Sequence, residues 1–375
     1  MGVSVRRLTL THAVERLRLA TPFRISGYTF SEGSVALVTL TDDGLTGRGE
    51  ANGVYYFNDD AESICRTIET NREVIERGIT REELATLLPA GGARNALDCA
   101  LWDLDAKRTG RPVWQLAGLH GVKPLITTFT LAADDPGTVR AGALKFATVR
   151  ALKLKLDGDL DADIARVRAV RDARPDVWLG VDANQGHTIE TFAALLPTLC
   201  DAGVRLIEQP LARGREADLD GFKSPIPLAA DESVQDSRDI EGLVGRFDVI
   251  NIKLDKCGGL TEALCMVDEA RRVGLATMVG SMFATSLAAA AGFVVGQLCE
   301  IVDLDGPTIL AQDREPAVRY EDGRIICPDG LWGAYATSCR PPGQGENDAE
   351  PVREDTWSTR LADVRAGRHG HERRP

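Results

Sequence analysis

One pattern repeats six times between Leu152 and Gly306: an apolar run that ends in polar residues. The runs are LKLKL (152–156), LGVDAN (179–184), RLIEQP (205–210), PLAADES (227–233), VINIKLD (249–255) and IVDLDG (301–306). A seventh run, ATMVGSM (276–282), ends at Ser281 without a charge. From Lys155 to Asp303 the steps between these ends are 27, 26, 23, 22, 28 and 22 residues. Each step has the length of one strand, one helix and two loops.

Helical patterns fill the intervals between the runs, as in IARVRAVRDAR (164–174) and EALCMVDEARRVG (262–274). Strands that alternate with helices at this spacing predict an α/β fold with a parallel sheet. Seven or eight such units close into a modified, TIM-like (β/α) barrel, whose chemistry lies at the carboxyl ends of its strands. Because each charged residue follows its apolar run, we expect the charges to converge at one mouth.

The flanking segments predict a second domain. Residues 1–50 are β-rich and residues 59–118 are helical, so we predict an α+β capping domain over 1–120. We predict the barrel over 121–310, with its first strand in LITTFTL (125–131), and a return of 311–339 to the cap. Two segments, ATPFRISGYTFSEGS (20–34) and ANGVYYFNDD (51–60), are predicted to be loops, and 340–375 a disordered tail.

Composition limits the classes of partner. The formal net charge of −12 argues against nucleic acid and anionic membranes, so we expect a small-molecule substrate, no nucleic acid and no membrane. None of the eight cysteines forms a CxxC pair, which argues against zinc. Several lie in apolar runs and are predicted to be buried thiols, which is typical of a reducing compartment. With no apolar signal segment at the N-terminus, we expect a cytoplasmic protein, and we expect it to be a homo-oligomer.

Asp182, Glu208 and Asp231 end three consecutive runs. Three bare carboxylates at one barrel mouth would repel one another, and a hard cation with oxygen ligands removes that repulsion. The sequence therefore predicts a Mg²⁺ site at these three acids. The alternative is that each acid caps the helix that follows it, which explains one acid more easily than three.

Lys153 and Lys155 are two residues apart in a strand and therefore point to the same face. Two adjacent ammonium groups disfavour each other's charge, which suits a general base near neutral pH. Lys253 ends the sixth strand, across the barrel from the second. The alternative, that these are lysines on the protein surface, is disfavoured by their position around the three acids.

This inventory suits the removal of a proton next to a carboxylate. The product is an enediolate, and Mg²⁺ on the substrate carboxylate would stabilise its charge. Return of a proton to the opposite face by the second lysine gives racemisation or epimerisation. If the second lysine takes no part, elimination or cycloisomerisation results.

The motifs KLK, DAN, EQP, ADES, NIKLDKCGG and GSM together resemble the enolase superfamily, muconate-lactonizing subgroup. The resemblance extends to about residue 339. It implies that Asp182, Glu208 and Asp231 bind Mg²⁺. It also implies that Lys155 and Lys253 are the acid/base pair, with Lys153 as the neighbour that tunes Lys155.

Asp303 and Asp305 form a DxD motif that resembles the dipeptide epimerases, L-Ala-D/L-Glu epimerases among them, where it binds the α-ammonium group of the substrate. Two carboxylates on one face suit a cationic amine; the alternative is a turn before Gly306. An N-acyl amino acid racemase of the N-acyl-glutamate type remains open, since only a free amine uses the DxD. A cycloisomerase and a non-catalytic binding barrel are the remaining alternatives.

The side-chain specificity is predicted from the capping loops. Glutamate-specific relatives carry Arg at the position of Tyr28. If Arg24 points inward, it could replace that Arg and glutamate dipeptides are expected; if it points to solvent, the tyrosines favour an apolar or aromatic side chain. His187 is predicted to face solvent, and Ala284 stands where relatives often have Glu. The predicted substrate-binding residues are Asp303, Asp305, Arg24, Tyr28, Tyr55, Thr130, Ser281 and Met282, with Tyr56 beside them.

Overall fold

The computed structural model describes residues 7–333. The predicted tail, 340–375, and the end of the predicted return segment, 334–339, lie outside the described residues. Within them, no helix combines the length and the apolar composition needed to cross a bilayer.

The N-terminal domain packs helices on an antiparallel sheet of order β1-β2-β3. Its strands are β1 (Thr9–Ile25), β2 (Tyr28–Asp42) and β3 (Leu45–Asn52). A 3-10 helix, Tyr55–Phe57, leads from the sheet into the helices. The helices are α1 (Ala61–Thr70), α2 (Arg72–Glu76), α3 (Arg81–Leu87), α4 (Gly92–Thr109) and α5 (Val113–Leu116).

Two glycines of β3 let α4 lie directly on the sheet. A Cβ on Gly47 would lie 2.1 Å from the carbonyl oxygen of Ala100, and one on Gly49 would lie 2.0 Å from that of Ala96. Any larger residue would push the helix off the strand. The cap domain thereby acquires its own apolar core.

The prediction of a loop over 20–34 is wrong. The segment forms the ends of β1 and β2, joined by a two-residue turn in which Gly27 has a φ of 72°. The register shifts between Arg18 and Phe23, which breaks the alternation that marks a strand in the sequence. The paired tip of this hairpin therefore lacks a visible period.

The second domain contains an eight-stranded parallel sheet of order β5 to β12, which confirms the predicted α/β barrel class. Its strands are β5 (Phe129–Leu131), β6 (Ala151–Lys155), β7 (Trp178–Asp182), β8 (Leu206–Glu208), β9 (Leu228–Ala230), β10 (Val249–Lys253), β11 (Ala276–Gly280) and β12 (Ile301–Val302).

Helices follow the strands on the outside of the curled sheet. They are α6 (Pro136–Lys145), α7 (Leu160–Ala173), α8 (Ile189–Asp201), α9 (Leu254–Cys257), α10 (Leu260–Val273) and α11 (Ser286–Gly296). 3-10 helices Glu216–Leu219 and Ser237–Leu243 follow β8 and β9, and Gly306–Ile309 follows β12.

The first and last strands are joined at their edges. The backbone N–H of Thr128 donates to the carbonyl of Val302 over 3.0 Å. The predicted first strand, LITTFTL, is in fact split. Leu125–Ile126 (β4) pairs with β14 (Arg324–Ile326) and its partner β13 (Arg319–Glu321), and only Phe129–Leu131 enters the barrel. Between the two parts, the Thr127 hydroxyl accepts from the backbone N–H of Leu304, beyond β12, over 2.9 Å.

The last described residues contact the cap domain. The Trp332 indole donates to the carbonyl of Arg48 over 2.9 Å, and the backbone N–H of Gly333 donates to Asp103 Oδ1 over 2.8 Å. Leu331 and Trp332 also pack into the barrel core. The segment 328–333 therefore binds the two domains together.

Candidate active site

Three carboxylates meet at the carboxyl ends of adjacent barrel strands. Asp182 ends β7, Glu208 ends β8, and Asp231 directly follows β9. The parallel register places Asp182 beside Glu208. All three are buried, and one oxygen from each lies within 4.8 Å of the others. The topology alone therefore brings the predicted acids together.

Each acid has a cationic or amide neighbour. Lys155 Nζ lies 2.6 Å from Asp182 Oδ2, and Lys253 Nζ lies 2.7 Å from Asp231 Oδ2. Glu208 has Lys153 Nζ at 3.4 Å and also accepts from the Asn251 amide over 2.7 Å. These contacts hold the lysine side chains at the mouth of the barrel.

The two predicted bases stand on opposite walls. Lys155 ends β6, the second barrel strand, and Lys253 ends β10, the sixth. In an eight-stranded barrel these strands are half a turn apart. Both side chains line one cavity, with Asp231 between them on the wall.

Burial and neighbouring charges shift the pKa values at the mouth. Burial raises the pKa of Glu208 to about 7, with the Asp182 charge adding to it and Lys153 opposing it. Burial lowers the pKa of Lys253, but Asp231, Glu208 and Glu232 outweigh it, so the pKa is raised. For the neighbouring Lys153 and Lys155 the sequence predicts a lowered pKa. Burial lowers the pKa of Lys153, but the charges of Asp303, Glu208 and Asp182 outweigh it, so the pKa of Lys153 is raised instead.

Two further charged side chains lie at this mouth that the sequence analysis does not predict as site residues. Lys256 is fully buried, and its Nζ lies 2.7 Å from Asp231 Oδ1 and 3.1 Å from the carbonyl of Asn251. Glu232, beside Asp231, is also buried, and burial with the Asp231 charge raises its pKa to about 8. Two features of the sequence could have indicated these residues. Lys256 follows Lys253 by three residues, and Glu232 directly follows Asp231 in the motif ADES.

Asp303 and Asp305 form the opposite side of the mouth. Asp303 follows β12 and pairs with Lys153 and the Thr128 hydroxyl. Asp305 accepts from the backbone N–H of Thr130 over 2.6 Å and from its hydroxyl over 3.3 Å. Burial and the Asp303 charge raise the pKa of Asp305 to about 6.

A cavity of about 340 Å³ lies between the barrel mouth and the cap domain. The predicted residues Thr130, Ser281, Met282 and Tyr55 line it, as does Tyr56. The charged side chains that line it are Lys153, Lys155, Asp231, Glu232, Lys253, Asp303 and Asp305. On the cap side, Phe23, Ile25 and Phe30 also line it.

Arg24 and Tyr28 do not line this cavity, contrary to the prediction. Arg24 alternates with Phe23 and Ile25, so it lies on the other face of β1, where it is exposed and pairs with Asp134 over 3.3 Å. Tyr28 lies at the tip of the hairpin, is 49% exposed and packs on Tyr55 with ring centroids 4.5 Å apart.

A buried carboxylate of the cap domain anchors the loop after β11. Glu50 accepts from the backbone N–H and the hydroxyl of Thr285, over 2.8 and 2.6 Å. Arg314 pairs with the same carboxylate over 2.6 Å. Ala284, beside Thr285, is buried. The loop that carries Ser281 and Met282 is thus tied to the cap.

The prediction that His187 faces solvent is wrong. The side chain is buried, its Nε2 lies 3.2 Å from Asp163 Oδ2, and its Nδ1 lies 3.2 Å from the Thr191 hydroxyl. These neighbours belong to α7 and α8, behind the mouth. His187 therefore packs two helices together.

The donor set fits a hard divalent cation. Three buried carboxylates converge, and Glu232 adds a fourth carboxyl group at the same wall. In addition, Asn184 Oδ1, Glu232 Oε2 and Asn251 Oδ1 are buried and have no hydrogen-bond partner among residues 7–333. Oxygen ligands alone, with charge to neutralise, are the environment that Mg²⁺ prefers.

Comparison with known proteins agrees with this geometry. L-Ala-D/L-Glu epimerase from Escherichia coli (strain K12) is 41% identical over 309 residues, which cover 82% of this chain and 96% of the relative. N-acetyl-D-glutamate racemase from Pseudoalteromonas sp. is 38% identical over 298 residues, 78% of this chain and 93% of the relative.

Two solved structures share the fold over most of both chains. An enolase family member from Agrobacterium tumefaciens with homology to dipeptide epimerases, with bound sodium and L-Ala-L-Glu, is 39% identical; its TM-score is 0.83, with 87% of this chain and 99% of that chain covered. A dipeptide epimerase from Methylococcus capsulatus complexed with Mg and L-Arg-D-Lys is 29% identical, with a TM-score of 0.82 and the same coverage.

Family models match both domains. The mandelate racemase / muconate lactonizing enzyme N-terminal domain matches residues 7–118, and the enolase C-terminal domain-like family matches residues 138–331. With two family matches over most of its length and with these relatives, the chain belongs to the mandelate racemase/muconate lactonizing enzyme family of the enolase superfamily.

Proposed function

We propose that this protein is a Mg²⁺-dependent dipeptide epimerase, related to the L-Ala-D/L-Glu epimerases, that inverts the α-carbon of the C-terminal residue. One observation carries the proposal. Two lysines face each other across three buried carboxylates, with a further carboxylate pair beside them at the same mouth. Such a mouth suits a substrate with an anionic end, a cationic end and a carbon between two bases.

Asp182, Glu208 and Asp231 would hold the metal. Bound there, Mg²⁺ would neutralise the substrate carboxylate and the negative charge that gathers on it when the α-proton leaves. The buried side chains around the three acids exclude bulk water, which strengthens each of these electrostatic interactions.

Lys155 and Lys253 would exchange the proton at the α-carbon. A lysine that removes the proton from one face leaves a planar carbon, and a lysine on the other wall can return a proton to the opposite face. Asp182 and Asp231 orient the two ammonium groups through the contacts at 2.6 and 2.7 Å. Lys153, held by Asp303, would contribute positive charge without exchanging the proton.

Asp303 and Asp305 would bind the amine of the N-terminal residue. Each carboxylate oxygen has more than one acceptor site, so the contacts with Thr128 and Thr130 leave room for an ammonium group. Burial and the charge of Asp303 raise the pKa of Asp305, and a bound cation would relieve the repulsion between these two acids. A free amine is therefore part of the proposed substrate.

Racemisation of an N-acylated amino acid is the second candidate function. Its support is the 38% identical N-acetyl-D-glutamate racemase. The triad and the lysine pair would serve it equally well. An acylated nitrogen, however, carries no charge for Asp303 and Asp305 to bind.

The experiment is α-proton exchange in D₂O with Mg²⁺, read by mass spectrometry and by chiral separation. The substrates are a dipeptide library with free amines and the matching N-acetyl amino acids. We expect the dipeptides to exchange and invert. Faster turnover of an N-acetyl amino acid than of any dipeptide would refute the epimerase and favour the racemase.

A further inference from the structure

If the proposed function is correct, the side chain of the epimerised residue can point in only one direction within the cavity. Its carboxylate is directed to the triad, its α-proton to Lys155 or Lys253, and its nitrogen toward Asp303 and Asp305. All of these groups lie on the barrel. The fourth substituent of the carbon therefore points toward the cap side of the cavity.

Four aromatic rings cover that side, and we call them the aromatic wall: Phe23, Phe30, Tyr55 and Phe283. Phe30 lies at the centre, with ring centroids 5.1 Å from Phe283 and 5.8 Å from Tyr55. Phe23 extends the wall, 6.1 Å from Phe283. All four line the cavity, and all four are half-buried, so an apolar ligand group would complete their burial.

The charges on the cap side oppose an anionic side chain. Four acids from this domain line the cavity: Glu32, Asp59, Asp60 and Glu62. Arg16 is the one basic residue that the described part of the cap contributes to the lining, and it pairs with Glu32 over 2.8 Å. A glutamate carboxylate placed here would meet acids and rings, with its one possible cationic partner already engaged.

We propose that the epimerised residue carries an apolar side chain between leucine and phenylalanine in size, and that the aromatic wall selects it. This inference rests on the proposed function and departs from the glutamate side chain named for the 41% identical relative. A buried carboxylate without a partner is strongly disfavoured, whereas each buried CH₂ group favours binding.

The first test measures kcat/KM of the Mg²⁺-loaded full chain for L-Ala-L-Phe, L-Ala-L-Leu, L-Ala-L-Glu and L-Ala-L-Lys. We expect the phenylalanine and leucine dipeptides to exceed the glutamate dipeptide by about 100-fold, the discrimination that a mismatched pocket can supply. A preference for glutamate or lysine would overturn the inference while leaving the epimerase intact. Absence of exchange with every dipeptide would refute the proposed function itself.

The second test compares two variants that introduce an arginine on opposite faces of the same strand, β2. Phe30→Arg places a cation in the aromatic wall, whereas Thr29→Arg places it on the exposed, opposite face of β2. We expect Phe30→Arg to shift the ratio of kcat/KM values toward the glutamate dipeptide by at least about tenfold, and Thr29→Arg to leave the ratio unchanged. Equal ratios in both variants and the wild type would contradict the role of the wall.

A third variant covers the case in which Phe30→Arg fails to fold, as judged by thermal unfolding. Phe30→Leu removes ring contacts but keeps an apolar side chain. It should lower kcat/KM for L-Ala-L-Phe more than for L-Ala-L-Glu. An equal reduction for both substrates would mean that Phe30 supports the hairpin without selecting the substrate.

Discussion

The barrel mouth and the aromatic wall face each other across one cavity, and they are built differently. The mouth carries its charges on strand ends, with the carboxylates almost fully buried and ion-paired to lysines. The wall carries half-buried rings on a hairpin, on a 3-10 helix and on the loop after β11. Strand ends fix atoms to the precision that proton transfer needs, whereas a hairpin can change its side chains without disturbing the barrel.

This contrast predicts different effects on activity for substitutions at the mouth and for substitutions in the cap. A change at the mouth should impair every dipeptide alike, whatever its side chain, and a change in the cap should act on some dipeptides more than on others. The largest effect is expected for removal of the metal and the smallest for a single buried hydroxyl, and each measurement tests this difference between mouth and cap.

Metal removal should have the largest effect. Excess chelator should abolish turnover of every dipeptide, and Mg²⁺ should restore it. At 100 times its Kd, Mg²⁺ should stabilise the fold by about 2.7 kcal/mol, seen as a higher Tm. Asp231→Asn should lose most of this increase, because it removes one charge from the triad.

Asp268→Asn is the matched control for the metal, since its side chain is 85% exposed and far from the triad in the fold. It should keep the Mg²⁺-dependent rise in Tm. Full turnover in chelator, or an unchanged rise in Asp231→Asn, would remove the metal from the proposed chemistry.

Lys155→Ala and Lys253→Ala should each reduce epimerisation by about 10³-fold or more for every dipeptide. Each variant should still exchange the α-proton of one enantiomer through the remaining lysine. Asp231 keeps Lys256 at 2.7 Å in Lys253→Ala, so that fold should persist. Lys223→Ala, on the surface, is the control, and near wild-type inversion in both active-site variants would show the assignment to be wrong.

Asp305 should make dipeptide binding depend on pH. Its pKa is raised to about 6 by burial and by Asp303, so the group is charged above that pH and neutral below it. KM for free-amine dipeptides should therefore rise as pH falls from 7 to 5. Asp305→Asn should raise KM about 10- to 100-fold at pH 7 and flatten this dependence, because a charge-assisted hydrogen bond is lost.

The corresponding N-acetyl amino acids give the contrast for Asp305, since they carry no ammonium group. Their KM should change little in Asp305→Asn. An equal rise for acylated and free-amine substrates would make Asp305 a structural residue.

Tyr56→Phe should have the smallest effect. The hydroxyl is buried and has no hydrogen-bond partner among residues 7–333. Burial and the charges of Asp231 and Glu232 raise its pKa, so it keeps its proton and can donate to substrate. We expect kcat/KM to fall about tenfold while Tm stays the same or rises, because an unpaired buried hydroxyl destabilises the free protein. Unchanged kcat/KM would leave the hydroxyl without a role in binding.

The barrel class and the family could be predicted from the sequence because each strand carries a local signal. An apolar run that ends in Asp182 or Glu208 indicates both a strand and the end of that strand that lies at the barrel mouth, without information from distant residues. The roles of these side chains in turnover stay predictions until the variants are measured.

The cap face could not be predicted in the same way. The tip of the β1-β2 hairpin is defined by pairing across a register shift, so no single strand shows its period. Which face Arg24 takes follows from that pairing alone. The burial of His187 and of Lys256 could not be predicted for a related reason: it depends on partners, Asp163 and Asp231, more than 20 residues away in the chain.

The contact between residues 328–333 and the cap has a consequence for biosynthesis. Asp103 is fully buried, and it accepts from Arg48 and Lys107 of its own domain and from Gly333, 230 residues downstream. A chain that leaves the ribosome presents Asp103 long before Gly333 exists. The domain that is translated first therefore acquires its last hydrogen bonds only after the barrel has been translated, and its folding is coupled to the completion of the other domain.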